Sequence, residues 1–120
     1  MIKLWRITTK ILKDIFLNFY FRLIPSRKFF LQGFIFSYFR HAYNRAWENE
    51  RTIEIPIIYE FIKRNRGKNI LEIGNVLSHY YHSLDHDVID KYEKAPLVIN
   101  EDAIDFKPAK LYDVIVSIST

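Results

Sequence analysis

The first part of the chain has a helical repeat of apolar residues. Between residues 2 and 20 these residues recur every three or four positions, and the lysines and arginines fall mostly on the opposite side. This pattern predicts an amphipathic helix that ends at Pro25 and Ser26. Its apolar stripe consists of Leu4, Ile7, Ile11, Leu12, Ile15 and Phe19.

A β-hairpin is predicted next. Two aromatic runs, 29–31 and 34–39, flank Gln32 and Gly33. Gly33 can adopt the positive φ that a tight turn requires, so the two runs can pair as antiparallel strands.

A second helix is predicted from residue 53 to about residue 66, where the apolar residues return to a helical spacing. Pro56 is expected near its start, because the missing N–H is best tolerated there. Gly67 is a plausible terminator.

From residue 68 onward the pattern changes to short, nearly continuous apolar runs. Runs at 69–73, 87–90, 97–100 and 112–119 predict four strands, and the stretch from Val76 to Leu84 predicts a helix. Apolar strands separated by short connectors are typical of a buried parallel sheet. The expected fold class is therefore α/β, with a partial Rossmann-like sheet preceded by the amphipathic helix and the hairpin.

Composition divides the chain into two regions. Of the 20 aromatic residues, 13 lie in residues 1–50, and this region carries a net charge of +6, whereas residues 51–120 carry −2. We therefore expect a basic, aromatic N-terminal extension over 1–50 and a second domain over 51–120.

The residue types exclude several classes of site and suggest a location. The chain has no cysteine, so disulfides and thiolate chemistry are excluded, and a reducing compartment fits. Charged residues break every apolar run before the ~20 residues that a membrane span needs, and they leave no export signal in residues 1–24. The expected location is cytoplasmic, with peripheral membrane contact through residues 1–24 left open.

Polar residues follow the predicted strands at the end where parallel sheets bind ligands. Gly74 follows the first strand, where a glycine lets backbone amides approach a ligand and the next helix offers its positive end. Asp90 ends the second strand and can accept hydrogen bonds from ribose hydroxyls.

The third and fourth strands carry similar residues. Asp102 can accept a hydrogen bond from an adenine amino group, and the small Ala103 leaves a backbone amide free for a ring nitrogen. Ser117, Ser119 and Thr120 lie at the carboxyl end of the fourth strand, which Asp113 opens from the other end.

Four motifs in order give a family resemblance. Residues 71–74, 88–90, 101–103 and 112–115 are similar to the first four motifs of class I methyltransferases that use S-adenosylmethionine. Residues 43–56 also resemble the approach segment of a bacterial and archaeal methyltransferase group. The resemblance implies a methyltransferase with S-adenosyl-L-methionine as cofactor, and an unknown methyl acceptor as partner.

The resemblance also implies roles for individual residues. It implies that Glu72 and Gly74 lie by the methionine and ribose portions, Asp90 at the ribose hydroxyls, and Asp102 with Ala103 at the adenine. The family's later glycines of the first motif are replaced by Val76 and Ser78, so Asn75 or Ser78 is expected to supply polar contacts instead.

The resemblance implies an incomplete sheet. The family's strand order is 3-2-1-4-5-7-6, of which residues 69–120 would supply 3-2-1-4. We therefore expect a fragment, or a half-domain that a partner chain completes. The family's acceptor-side residues follow the fourth strand, so the catalytic residues are not assigned, and catalysis by this chain alone is doubtful.

Alternative interpretations remain open. A nucleotide-binding Rossmann fragment would also use Asp90, but Gly-x-Gly-x-x-Gly is absent. His79, His82 and His86 lack a carboxylate at ligand spacing, so surface histidines are favoured over a metal site.

The N-terminal region has its own alternatives. It could be a non-enzymatic interaction module, with its helix on a membrane surface or a protein partner. Packing of the apolar stripe over the sheet or a partner is favoured over the membrane. A cap over the cofactor site is favoured over single-stranded nucleic acid on the hairpin, because phenylalanines usually build cores.

Overall fold

A computed structural model gives the structure of the chain and describes residues 1–118. The chain divides into two compact units, Met1–Ile57 and Ile58–Thr120. The helices and strands are α1 (Ile2–Leu23), β1 (Lys28–Leu31), β2 (Phe34–Ser37), α2 (Arg51–Arg64), β3 (Ile70–Ile73), β4 (Asp87–Ile89), β5 (Val98–Ile99) and β6 (Val114–Ser117). Short 3₁₀ turns lie at Tyr43–Arg45 and Leu77–His79. Within residues 1–118, none of the helices combines the length and the apolar character that crossing a membrane requires.

The first unit contains the predicted helix and hairpin. β1 and β2 pair antiparallel through a two-residue turn, in which Gln32 and Gly33 have φ values of 48° and 82°. Two positive φ values match a type I′ turn, whose twist suits a hairpin. The predicted hairpin is thus confirmed.

Helix α1 leaves its apolar stripe exposed. None of its residues is buried, and Leu4, Leu12 and Ile15 are each more than half exposed. Within the first unit the stripe therefore remains uncovered. The expectation that it packs over the sheet or on a partner stays a prediction.

Helix α2 accommodates Pro56 in its interior rather than at its start. Pro56 has no N–H to donate to the carbonyl of Thr52, four residues earlier. That carbonyl instead accepts a hydrogen bond from the N–H of Phe39, at 2.9 Å, and the Thr52 hydroxyl donates to the Phe39 carbonyl at 2.7 Å. The proline therefore frees a carbonyl that holds the segment after β2.

The second unit contains a four-stranded parallel sheet of order β5-β4-β3-β6. In chain order its strands are the third, second, first and fourth, which is the predicted order. Its core is apolar, as continuous apolar strands require. The buried side chains include Ile70, Leu71, Leu77, Val88, Ile89, Val116 and Ile118. A mixed α/β architecture with a parallel sheet is confirmed.

One predicted element is wrong. Residues 76–84 do not form a helix beyond the single 3₁₀ turn at Leu77–His79. The segment contains two histidines, two tyrosines and two serines, which all have weaker helix propensity than alanine or leucine. The crossover from β3 to β4 is therefore mostly irregular.

Candidate functional site

The parallel register brings the carboxyl ends of all four strands into one row. Ile73 is aligned with Ile89 on one side and with Ser117 on the other, and Ile89 is aligned with Ile99. The residues that follow these strands therefore lie along a single edge of the sheet. This is the edge at which open α/β sheets bind ligands.

Glu72 stabilises the loop that follows β3. Its side chain is fully buried, and Oε1 accepts hydrogen bonds from the N–H groups of Val76 and Leu77 at 2.9 and 3.0 Å. Its Oε2 lies 2.6 Å from Nε2 of His86, whose side chain is 4% exposed. One carboxylate thus joins β3, the 3₁₀ turn and the segment before β4, and any role it has at a ligand is indirect.

His86 is the residue that sequence reasoning missed. It was expected at the surface with His79 and His82, but it is buried against Glu72. The signal available was a lone acidic residue inside an apolar strand, since a buried carboxylate needs a partner. Among the described residues, no group of three or more His, Cys, Asp or Glu side chains could hold a metal ion.

Gly74 and Asn75 form the turn at the end of β3. Gly74 is buried with a φ of 86°, a conformation that favours glycine, and its N–H donates to the Ile89 carbonyl at 2.8 Å. The N–H of Asn75 donates to Oδ2 of Asp90 at 2.9 Å. The turn is thereby fixed to the end of β4.

Asp90 is held by three backbone donors. Its Oδ1 accepts from the N–H groups of Tyr92 and Glu93 at 2.9 and 2.8 Å, in addition to the bond from Asn75 at Oδ2. Partial burial acts to raise the pKa of Asp90, but these bonds outweigh it, and the pKa lies below its ordinary value of 3.8. Asp90 is therefore ionised at neutral pH.

Asp102 is contacted by the lysine that directly follows Asp90. Lys91, directly after Asp90, places Nζ 3.1 Å from Oδ2 of Asp102, and the N–H of Ile104 donates to Oδ1 at 3.1 Å. These two contacts, the backbone bond first, lower the pKa of Asp102. The neighbouring Ala103 is exposed.

Two of the other residues expected at the site, Asn75 and Ser78, lie in the turn after β3, and a third, Ser117, lies at the carboxyl edge of the sheet. Ser78 donates its hydroxyl hydrogen to Oδ1 of Asn75, so these two side chains bond to each other. Ser117 ends β6 at the row of strand ends and is exposed. Ser119 and Thr120 lie outside the described residues.

The opposite edge of the sheet holds a different cluster. Asp113 accepts at Oδ2 from the N–H of Asn69, at 2.9 Å, just before β3. Asp87, at the start of β4, accepts from the Tyr112 hydroxyl at 2.7 Å and lies 3.0 Å from Nζ of Lys110. Burial and the Asp87 carboxylate together raise the pKa of Tyr112 to about 12. These contacts tie the chain entering β6 to the rest of the sheet.

A cleft of about 350 Å³ adjoins the turn, lined in part by Asn75, Ser78, His86 and Val98. It shares Asn75 and Ser78 with the expected site, but neither Asp90 nor Asp102 lines it. In the part of the chain that the structure describes, Nδ2 of Asn75 and Nδ1 of His86 are buried without a hydrogen-bond partner. The cleft is therefore a neighbour of the carboxylate edge and not the edge itself.

Comparisons with known proteins give no relative: no family model, curated protein or solved structure matches the chain.

Proposed function

We propose that residues 69–118 form the cofactor-binding part of a class I methyltransferase that uses S-adenosylmethionine. The observation that carries the proposal is the meeting of Gly74, Asp90 and Asp102 at the carboxyl edge of a parallel sheet. A glycine turn and two acceptor carboxylates at that edge suit an adenosine, whose ribose and adenine both present hydrogen-bond donors.

The carboxylate of Asp90 fits one ribose hydroxyl. An ionised carboxylate has about four acceptor positions. Backbone donors occupy one at Oδ2 and two at Oδ1. One position at Oδ2 is left for a ligand, and the backbone bonds hold that oxygen in place.

Asp102 fits a weaker donor such as the adenine amino group. Its partner Lys91 is about half exposed, and an ion pair of this kind contributes little and rearranges easily. Asp102 can therefore accept from a ligand without the loss of a buried contact.

The backbone amides of the turn argue against a dinucleotide. Pyrophosphate binding at a Rossmann turn relies on free N–H groups at a helix N-terminus. Here the N–H groups of Gly74, Asn75, Val76 and Leu77 all donate within the protein. S-Adenosylmethionine has no pyrophosphate that would need such donors, and its positive sulfonium is compatible with nearby carboxylates.

The chain's own contribution to the reaction is binding and orientation. S-Adenosylmethionine would supply a methyl group that is already activated for transfer. Asp90 and Asp102 would fix the adenosine, and the Glu72 carboxylate would hold the turn that carries Gly74. Such positioning is the main requirement of methyl transfer, because the acceptor must approach in line with the methyl carbon.

Calorimetry with S-adenosylhomocysteine tests this function. We expect the full chain to bind it, and Asp102→Ala to weaken binding by about tenfold, because one charge-assisted hydrogen bond is lost. Asp85→Ala, which removes an exposed carboxylate before β4, is the matched control and should bind like the parent chain. The absence of binding, or tighter binding of NAD than of S-adenosylhomocysteine, would contradict the proposal.

A further inference from the structure

We propose that the first unit docks on an anionic membrane surface through the apolar side of α1. This inference is independent of the proposed function, since it concerns Met1–Ile57 alone. It rests on the direction in which the helix packs. The side of α1 that contacts its own unit combines polar and apolar residues, and the broad apolar side faces outward.

The inward side of α1 is defined by its contacts. Asp14, Leu17, Asn18 and Phe21 are the half-covered residues of its second half. Oδ1 of Asn18 accepts from the N–H of Ala42 at 2.8 Å.

The end of the helix is held in the same direction. The Arg40 guanidinium donates to the carbonyls of Phe21 and Ile24 and lies 5.1 Å from the centre of the Phe21 ring. The centre of the Trp47 ring lies 6.4 Å from the centre of the same Phe21 ring. These contacts fix which side of the helix faces out.

The outward side is broad and apolar. At 3.6 residues per turn, its large side chains span about 180° of the helix circumference. Its large side chains are between 53% and 72% exposed, namely Leu4, Trp5, Ile7, Ile11, Leu12, Ile15, Phe16, Phe19 and Leu23. A seam for one partner helix is narrower than this, whereas a bilayer interface covers a sector of this width.

The polar groups within and beside this sector suit an apolar environment. The hydroxyl of Thr8 donates to the Leu4 carbonyl at 2.8 Å, and that of Thr9 to the Trp5 carbonyl at 2.9 Å. Both hydroxyls are thus satisfied by the helix itself, which reduces the cost of removing them from water. Arg22, near the end of the helix, is long enough to extend its charge to the headgroups.

The positive charge of residues 1–28 favours an anionic membrane surface over a neutral one. Residues 1–28 carry seven Lys and Arg against one acidic residue, Asp14. Lys3, Arg6, Lys10 and Lys13 lie together on the side away from the apolar sector and are all exposed. A helix with this many charges lies in the plane of the interface, with its basic side at the headgroups.

The hairpin of the same unit adds apolar surface. Phe30 and Ile35 are cross-strand neighbours, 70% and 67% exposed. Lys28 lies on the same side of β1, two residues away. The unit therefore exposes apolar side chains next to basic ones on both of its elements.

Vesicle binding by the full chain tests the proposal. We expect co-sedimentation with phosphatidylcholine vesicles that contain phosphatidylglycerol, and at least about tenfold weaker binding to phosphatidylcholine alone. Leu12→Ser with Phe16→Ser should weaken binding to the anionic vesicles by at least about tenfold, because the inserted side chains are lost. Ile104→Ser with Leu111→Ser is the matched control, since both residues are 90% exposed but lie outside α1.

Tryptophan fluorescence provides a second measurement. The chain has two tryptophans, so Trp47→Phe leaves Trp5 as the only reporter. Its emission should shift to the blue on anionic vesicles and return as salt is added. Unchanged emission, no co-sedimentation, binding retained by the Leu12 and Phe16 variant, or self-association that replaces vesicle binding would each overturn the proposal.

Discussion

At the residue scale, Glu72 and His86 form the most consequential contact of the sheet. Both side chains are almost completely removed from solvent, and the carboxylate also accepts two backbone hydrogen bonds. A buried carboxylate is tolerated only when its oxygens have partners. The pair therefore determines whether the turn after β3 keeps its shape.

Replacement of His86 by leucine should destabilise the protein. Oε2 of Glu72 would lose its partner while remaining buried, which costs about 3 kcal/mol. Urea unfolding followed by circular dichroism measures the loss. His82→Leu is the control, because His82 is exposed and its change should stay within about 0.5 kcal/mol. Equal effects of the two substitutions would contradict this account of the pair.

Asp90 should contribute a pH-dependent part of the stability. Its pKa is lowered in the folded protein, so its contribution is complete above the ordinary value of 3.8 and is lost as the pH falls through the folded value. Asp90→Asn should cost about 1 kcal/mol at pH 7, because an amide has one acceptor oxygen for three donors. In urea titrations at a series of pH values, the difference from the parent chain should shrink below about pH 4. A difference that does not depend on pH would contradict this role.

At the element scale, α2 is shaped by the proline in its interior. Pro56 leaves the Thr52 carbonyl free, and Phe39 bonds to both the carbonyl and the hydroxyl of Thr52. The segment after the hairpin is thus attached to the first turn of the helix. A proline ordinarily weakens a helix. In α2 it leaves a backbone carbonyl free to accept a hydrogen bond from another segment.

Removal of the Thr52 hydroxyl tests this attachment. Thr52→Val keeps the shape of the side chain but loses the bond to the Phe39 carbonyl, and it should lower the free energy of unfolding by about 1 kcal/mol. Thr8→Val is the matched control, because the Thr8 hydroxyl bonds only within α1 and is exposed. Chemical unfolding of both variants should separate them. Stabilities that do not differ would show that the Thr52 bond is not needed.

At the scale of the whole molecule, the chain combines a basic, aromatic unit with one that contains a parallel sheet. The order of the strands in the sheet was implied by the resemblance to a methyltransferase family. Hydrophobic spacing was sufficient to predict α1, the hairpin, α2 and the four strands, because helices and buried strands show different apolar patterns along the chain. The residues at the strand ends could be predicted for the same reason.

Other features could not be predicted from spacing. The helix expected over 76–84 has apolar residues at suitable positions, but its histidines, tyrosines and serines favour it too weakly. The burial of His86 depends on Glu72, fourteen residues away, and no local pattern reports such a pair. The outward direction of the stripe on α1 depends on Asn18 and Arg40, whose partners are distant in sequence.

The alignment of the strand ends in one row would couple folding to the binding of any ligand at that edge. The groups at that edge come from stretches around residues 74, 90, 102 and 117, which only the paired strands bring together. No short peptide cut from the chain could reproduce such a discontinuous surface. A molecule that bridges these stretches would bind the native state alone, so it would stabilise the folded chain more as its concentration rises.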